Sequence, residues 1–354
     1  MLSVTDLSFR HGERILFDRA SVAFSDGWKV GLVGRNGAGK STLLKLIQGE
    51  LEADGGVINL MGRTKVGSVP QDPPGGDIKV IDAVLAADKE RTALLAEAET
   101  SEDGLRLADI HMRLDEIDAA SAPSRAAAIL SGLGFDNEAQ QRACGEFSGG
   151  WRMRVALAGT LFSSPDLLIL DEPSNHLDIE AMIWLTEHLK KFRSTILMVS
   201  HDRDLLNDVC DHIVHIDQEK LVSYTGNYDF FEKTRAERLG IPHTLIDHRA
   251  YPNREALDQA LIAAFNVHNV DLVVMAGWMR IVTPVLIQAF PNRLINIHPS
   301  LLPSFRGLDG VGQALAAGVK LTGCTAHLVS EAVDAGEILV QAAVPVHSND
   351  DHAR

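Results

Sequence analysis

Gly34-Arg35-Asn36-Gly37-Ala38-Gly39-Lys40-Ser41-Thr42 fits the GxxxxGK[ST] pattern of a phosphate-cradling loop, and it directly follows an apolar run, Val30-Gly31-Leu32-Val33, that reads as a strand. The glycines let the loop turn its backbone N–H groups inward onto the α- and β-phosphates of a nucleotide. Lys40 reaches toward the β- and γ-phosphates, and the Ser41 hydroxyl is placed to ligate Mg²⁺. The helix that follows, through Leu43, Leu44 and Leu46, points its positive N-terminus at the same anion. The expected nucleotide-binding set is therefore Gly34, Asn36, Gly37, Ala38, Gly39, Lys40, Ser41 and Thr42.

The chain has 354 residues, a length that ordinary domain sizes divide into two folding units. No stretch approaches the roughly 18 apolar residues that span a bilayer. Met1-Leu2-Ser3-Val4-Thr5-Asp6 lacks the basic region and apolar core of a secretory leader, so a cytosolic protein is expected. Cys144, Cys210 and Cys324 stand singly with no CxxC spacing and read as buried thiols, not as zinc ligands or disulfide partners. A formal net charge of −15 opposes non-specific nucleic-acid binding.

Moving outward from the loop, Ser21-Val22-Ala23-Phe24 alternates as a strand. Between Ile78 and about Gly134 the pattern turns helical, with a break at Ser121-Ala122-Pro123-Ser124. From Phe147 to Asp217 α/β character returns, with a helix from Gly150 toward Leu161 and buried strands at Leu167–Leu170 and Thr195–Val199. Four chemical signals fall in this part of the chain. Gln71 is placed to join the metal and the attacking water to the helical layer. Ser148-Gly149-Gly150 offers a Gly-rich turn before a helix, again a backbone anion site. Asp171 ends an apolar strand where it can hold Mg²⁺ through water, and Glu172 beside it can polarise a nucleophilic water. His201 follows the next strand, where an imidazole can contact a γ-phosphate.

In that order these residues resemble the nucleotide-binding domain of the ATP-binding-cassette superfamily. Asp171-Glu172-Pro173-Ser174-Asn175-His176-Leu177-Asp178, Ser148 through Ala158, and Tyr224-Thr225-Gly226-Asn227-Tyr228 look like its ABC-F group. The resemblance implies a P-loop α/β cassette over residues 1–239 with a helical insertion at about 78–146, ATP and Mg²⁺ as cofactors, and a soluble ATPase of the kind that mostly acts on ribosomes. It places His11 where relatives carry an adenine-stacking aromatic, Gln71 among the metal ligands with Ser41 and Asp171, and His176 in a turn that meets a partner cassette. It also implies that each ATP lies between the phosphate loop of one cassette and the signature turn of another. Ser148 would then act in trans, in a homodimer or on a second cassette. Group members normally hold two cassettes, whereas this sequence leaves the pattern just after Arg235-Ala236-Glu237-Arg238.

Beyond Gly240 strands and helices alternate afresh: Thr244–Asp247, a helix from Arg254 to Val267, Leu272–Met275, a helix near Pro284 to Ala289, Leu294–Ile297 and Thr325–Val329. That alternation predicts a second parallel α/β unit. Ala276-Gly277-Trp278-Met279-Arg280-Ile281, the run from Asn296-Ile297-His298-Pro299 to Phe305-Arg306-Gly307, Gly323–His327 and Val333-Asp334-Ala335-Gly336 resemble glycinamide ribonucleotide formyltransferase. The resemblance implies a Rossmann-like fold and 10-formyltetrahydrofolate as donor, bound beside Met279, Arg280, Ile281, Val282 and Arg254. His298 is the expected acid, Asn296 the amide that orients the formyl oxygen, and Asp334 the carboxylate that favours charged His298. His327 reads as a core or strand-face residue. The unit lacks the family's first strand and substrate-phosphate loop, and it stops before the final helical segment. An uncovered apolar face and an open sheet edge are expected. Three readings result: an ATPase cassette joined near Leu239-Gly240 to an inactive transferase segment, a bifunctional enzyme, or a non-catalytic nucleotide-dependent binding module.

Overall fold

Apolar residues are buried at Leu2, Val4, Leu7 and Phe9 and again at Leu16, Phe17, Ala20 and Phe24, an alternation shifted by bulges where the pairing changes register, so two strands each turn an apolar face inward. In the computed structural model these are β1 (Leu2–His11) and β2 (Arg14–Phe24), paired antiparallel from Leu2↔Phe24 to His11↔Arg14. The structure describes residues 1–62, 64–70, 72–278, 280–307 and 309–347; Gln71 and Met279 of the expected site lie outside the described residues. The chain divides into two units, Met1–Arg238 and Leu239–Arg354.

The first unit continues through β3 (Lys29–Val33), α1 (Lys40–Gln48), β4 (Gly55–Leu60) and β5 (Val66–Ser68). A helical layer follows: α2 (Val80–Leu85), α3 (Lys89–Thr100), α4 (Gly104–Glu116) and α5 (Ala122–Gly132). The break expected at 121–124 is a helix start, with Pro123 in the first turn where a missing N–H costs nothing. The α/β part resumes with α6 (Gly149–Phe162), β6 (Leu167–Asp171), α7 (Ile179–Lys191), β7 (Thr195–Val199), α8 (Arg203–Val209), β8 (His212–Asp217), β9 (Lys220–Thr225) and α9 (Tyr228–Arg238).

β4 joins β1 and β2 in a three-stranded sheet, and the other six strands form a sheet in the order β5-β6-β7-β3-β8-β9. β3 runs parallel to both its neighbours, β7 and β8, and β6 runs parallel to β7. Continuous apolar runs suit strands covered on both faces, and Leu168, Leu170, Ile196 and Met198 face one core while Leu167, Ile169, Leu197 and Val199 face the other. Burying each such side chain contributes about 1.5–3 kcal/mol. This strand order brings the C-terminal ends of β3, β6 and β7 side by side, so the three loops that follow them share one edge.

The second unit contains α10 (Arg254–Val267), β10 (Val273–Met275), α11 (Pro284–Ala289), β11 (Leu294–His298), α12 (Gly310–Ala316), β12 (Leu321–Leu328) and β13 (Ile338–Pro345). Its sheet order is β10-β11-β12-β13. Here the structure corrects the sequence reading. Among the described residues only β10 and β11 pair in parallel, and β12 and β13 add antiparallel strands. Residues 244–247 form no strand; Leu245 is exposed and meets neither a ladder nor a core, and a strand needs both. Cys144 and Cys210 are buried as expected, but Cys324 is exposed. No helix among the described residues is long and apolar enough to cross a membrane.

Candidate functional site

The loop between β3 and α1 holds Gly37 at φ +73° and Gly39 at φ +102°, left-handed conformations that favour glycine. A Cβ at Gly39 would also lie 3.1 Å from the Phe17 ring. Lys40 Nζ donates to the Gly34 carbonyl at 3.0 Å and the Arg35 carbonyl at 3.3 Å. Burial lowers the Lys40 pKa, while the charges of Glu172 and Asp171 pull it back. Ser41 Oγ donates to Asp171 Oδ2 at 2.8 Å. A hydroxyl and a carboxylate thus converge beside the loop, a hard-oxygen pair suited to Mg²⁺ that reaches its remaining ligands from phosphates and water.

Glu172, directly after β6, sits at φ +48° and is anchored by its own N–H donating to the Val199 carbonyl at 2.9 Å. The His201 backbone N–H donates to Glu172 Oε2 at 3.1 Å. Oε1 is buried without a hydrogen-bond donor and lies 3.5 Å from His201 Nε2. Burial raises the Glu172 pKa, and the His201 N–H and imidazole oppose that rise. A desolvated carboxylate with one free oxygen is what abstraction of a water proton requires.

A cleft of about 880 Å³ runs along the loop from Arg14 and Ile15 past Gly34, Asn36, Ala38 and Lys40 to His201. His11, the expected adenine platform, is exposed at the end of β1 and does not line this cleft, whereas Arg14, its partner across the hairpin, does. Sequence reading missed Arg14 because it belongs to no motif; its guanidinium lies 3.3 Å from where a Gly37 Cβ would stand. Thr42 sits in the first turn of α1. Ser148, Gly149 and Gly150 open α6 away from the cleft of their own chain. Ser148 is exposed and makes no side-chain bond to its helix, so its hydroxyl is free to meet another molecule.

In the second unit β11 carries Asn296 and His298 on one face, beside His327 and Thr325 of β12. Asp334 sits between two imidazoles, with Oδ2 3.3 Å from His298 Nδ1 and Oδ1 3.5 Å from His327 Nε2. His327 Nδ1 donates to the Leu328 carbonyl at 2.9 Å, which leaves its Nε2 to accept from Asn296 Nδ2 at 3.3 Å. His298 Nε2 donates to the Phe305 carbonyl at 2.8 Å, so both ring nitrogens of the expected acid are occupied. The folate-side residues lie on α10 and on the segment before α11, which are tied together where Thr283 donates to Asp258 Oδ2 at 2.7 Å. Arg254 opens α10, Arg280 and Ile281 are exposed, and Val282 packs against the small core around Leu286 and Phe290.

Two family models match the chain: ABC transporter over residues 17–175 and Formyl transferase over residues 194–354. The chain is 47% identical over 242 residues to the probable ATP-binding protein YheS of Escherichia coli K12, covering 68% of this chain and 38% of that one. It is 44% identical over 246 residues to human ATP-binding cassette sub-family F member 3, covering 66% of this chain and 33% of that one. Phosphoribosylglycinamide formyltransferase from Bacillus halodurans is 42% identical, with 33% of this chain and 61% of that one covered at a TM-score of 0.32, a likeness of sequence. The chain joins an ABC cassette with ABC-F homologues to a formyl transferase segment. It spans 38% of the length of YheS. The formyl transferase match begins at residue 194, inside the cassette: β7 is hydrogen-bonded there between β6 and β3, and the second unit starts only at Leu239.

Proposed function

We propose that the cassette binds and hydrolyses Mg·ATP as a homodimer or with a second cassette in trans. The observation that carries this reading is the acidic pair: Asp171 meets Ser41 beside the phosphate loop, and Glu172 keeps one buried carboxylate oxygen free next to His201. When bound, Mg²⁺ would neutralise charge developing on the transferring phosphoryl group. The loop amides and Lys40 hold the phosphates, His201 contacts the terminal one, and Glu172 takes the proton of the attacking water. Ser148 of a partner copy closes the site; its exposed hydroxyl, which caps no helix of its own chain, leaves it available for that contact. Gln71 takes its family role between metal and water. Resemblance to the ABC-F group supports a cytosolic protein that works with ribosomes, which co-sedimentation with ribosomes in the presence of ATP would test. Full-length protein is expected to release phosphate from Mg·ATP, with Glu172→Gln removing the activity. Absence of Mg·ATP binding would end this reading.

The formyl transferase segment keeps Asn296, His298 and Asp334 together, yet we infer that it does not turn over. Its acid donates to Phe305, and residues 194–238, which the formyl transferase model also matches, belong to the first unit. Formyl transfer from 10-formyltetrahydrofolate to glycinamide ribonucleotide, lost in His298→Ala, would reverse this inference and favour a bifunctional enzyme.

A further inference from the structure

One buried cation joins the turn that follows Glu172 to the helix that carries the signature turn. Arg154, on the second turn of α6, is 8% exposed. Its Nε donates to the His176 carbonyl at 2.7 Å. Its Nη1 donates to the Leu133 carbonyl at 3.1 Å and to Asp178 Oδ2 at 2.8 Å. The guanidinium lies 4.4 Å over the Trp151 ring. The slot it fills is built for it: Gly134, at φ +96°, leaves room that a Cβ would take, 3.1 Å from Nη1. His176 is itself in the left-handed region, at φ +71°, and packs where a Cβ on Gly150 would lie 3.5 Å away. Asp178 caps α7 through its other oxygen, which accepts from the Ala181 N–H at 2.9 Å.

The Glu172-to-Asp178 turn is therefore fastened to α6 at two places, His176 against Gly150 and Arg154 across to Asp178. We propose that Arg154 is a positioning residue that locks the signature turn to the Glu172-bearing turn, so that closing on a partner's nucleotide through Ser148 sets the geometry at the chain's own nucleotide. This rests on the two-cassette reading above. A planar fork can serve two carbonyls and a carboxylate from one buried position; a lysine ammonium is a compact, strongly hydrated charge and cannot reproduce that pattern. Arg154 does not line the cleft along the phosphate loop. Its loss should thus weaken the assembled state and spare the monomer's grip on ATP.

The test uses the full chain in a Glu172→Gln background, with Mg·ATP affinity measured at dilute protein and ATP-driven dimerisation by analytical ultracentrifugation. Adding Arg154→Lys is expected to weaken the dimer about tenfold or more while monomer ATP affinity stays within about twofold. Asp178→Asn, which keeps a cap for α7 and removes the charge, should act in the same direction by less. In the Glu172-containing chain, Arg154→Lys should lower kcat and bring the Hill coefficient for ATP toward one. Dimerisation equal to the parent in both variants would overturn the proposal, as would an equal loss of monomer ATP binding and dimerisation. If the Glu172→Gln parent stays monomeric in saturating Mg·ATP, the two-cassette reading fails first and takes the proposal with it.

Discussion

The cassette and the formyl transferase segment each hold a recognisable set of polar side chains, but they support it with different scaffolds. In the cassette, the loops after β3, β6 and β7 rise from a sheet with a core on each face. In the second unit, the strand that carries Asn296 and His298 presents Ile297 to the opposite face, where it is 45% exposed. Val274 and Val340, on that same face through Ile295 and Ala326, are 55% and 63% exposed. Side chains can be brought together by three local strands. Holding them against the forces of catalysis takes a layer behind the sheet, and the second unit's core of Leu286, Phe290 and Leu294 covers one side only.

The largest expected effect is at Glu172. Glu172→Gln removes the base and should reduce kcat about 10²- to 10⁴-fold. Histidine changes in the second unit should leave ATP hydrolysis untouched, and a drop in ATPase rate in His298→Ala would break the separation of the two units. The pH profile sharpens the point. Because burial raises Glu172, its carboxylate protonates as pH falls through a value above that of an exposed glutamate, so the acid limb of kcat/KM, which reports the free enzyme, lies higher than an ordinary glutamate would place it. The same bias makes the folded protein bind a proton that the unfolded chain releases, so stability falls as pH rises through that window. Glu172→Gln should abolish that loss; a stability profile unchanged by the substitution would mean the carboxylate is solvated.

Next come the cores. Leu168→Ala, at a fully buried position of the cassette sheet, should cost about 2–5 kcal/mol. Calorimetry should resolve two transitions, with only the cassette transition moved by this substitution. Mg·ATP at about 100 times its dissociation constant should stabilise that same transition by about 2.7 kcal/mol and leave the other in place. A single transition shifted by both would show that the two units unfold together.

Much of the cassette site was legible because its chemistry is written locally: a Gly-rich loop after an apolar run, an acidic pair after another, and a histidine after a third. What could not be read was tertiary. Arg154 looks like any basic residue on a helix until three separate segments are seen to converge on it. His11 and Arg14 are partners across one hairpin, and only the fold shows that Arg14 is the one lining the cleft. In the second unit, helices α10 and α11 fall where the sequence pattern placed them, at Arg254–Val267 and Pro284–Ala289. The strand expected at 244–247 failed because a strand exists only where a neighbour accepts its hydrogen bonds, and no property of Thr244–Asp247 itself reveals that neighbour. β13 was missed for the complementary reason: its residues are all exposed, and they form a strand because β12 offers them a ladder.

The smallest effect tests the bare face directly. β13 is an uncharged run, Ile338-Leu339-Val340-Gln341-Ala342-Ala343-Val344-Pro345, exposed along its whole length at the edge of its sheet. Such edges recruit other chains, and natural sheets blunt them with an outward lysine. Val340→Lys places a charge in solvent and breaks no internal contact, so it should change stability by less than about 0.5 kcal/mol and leave ATP hydrolysis at the parent rate. Self-association followed by light scattering should nevertheless fall, because the new ammonium would have to be desolvated whenever the face is covered. A loss of several kcal/mol on the same substitution would instead mean that Val340 is buried in solution, and the contrast between a covered cassette sheet and an open second sheet would no longer hold.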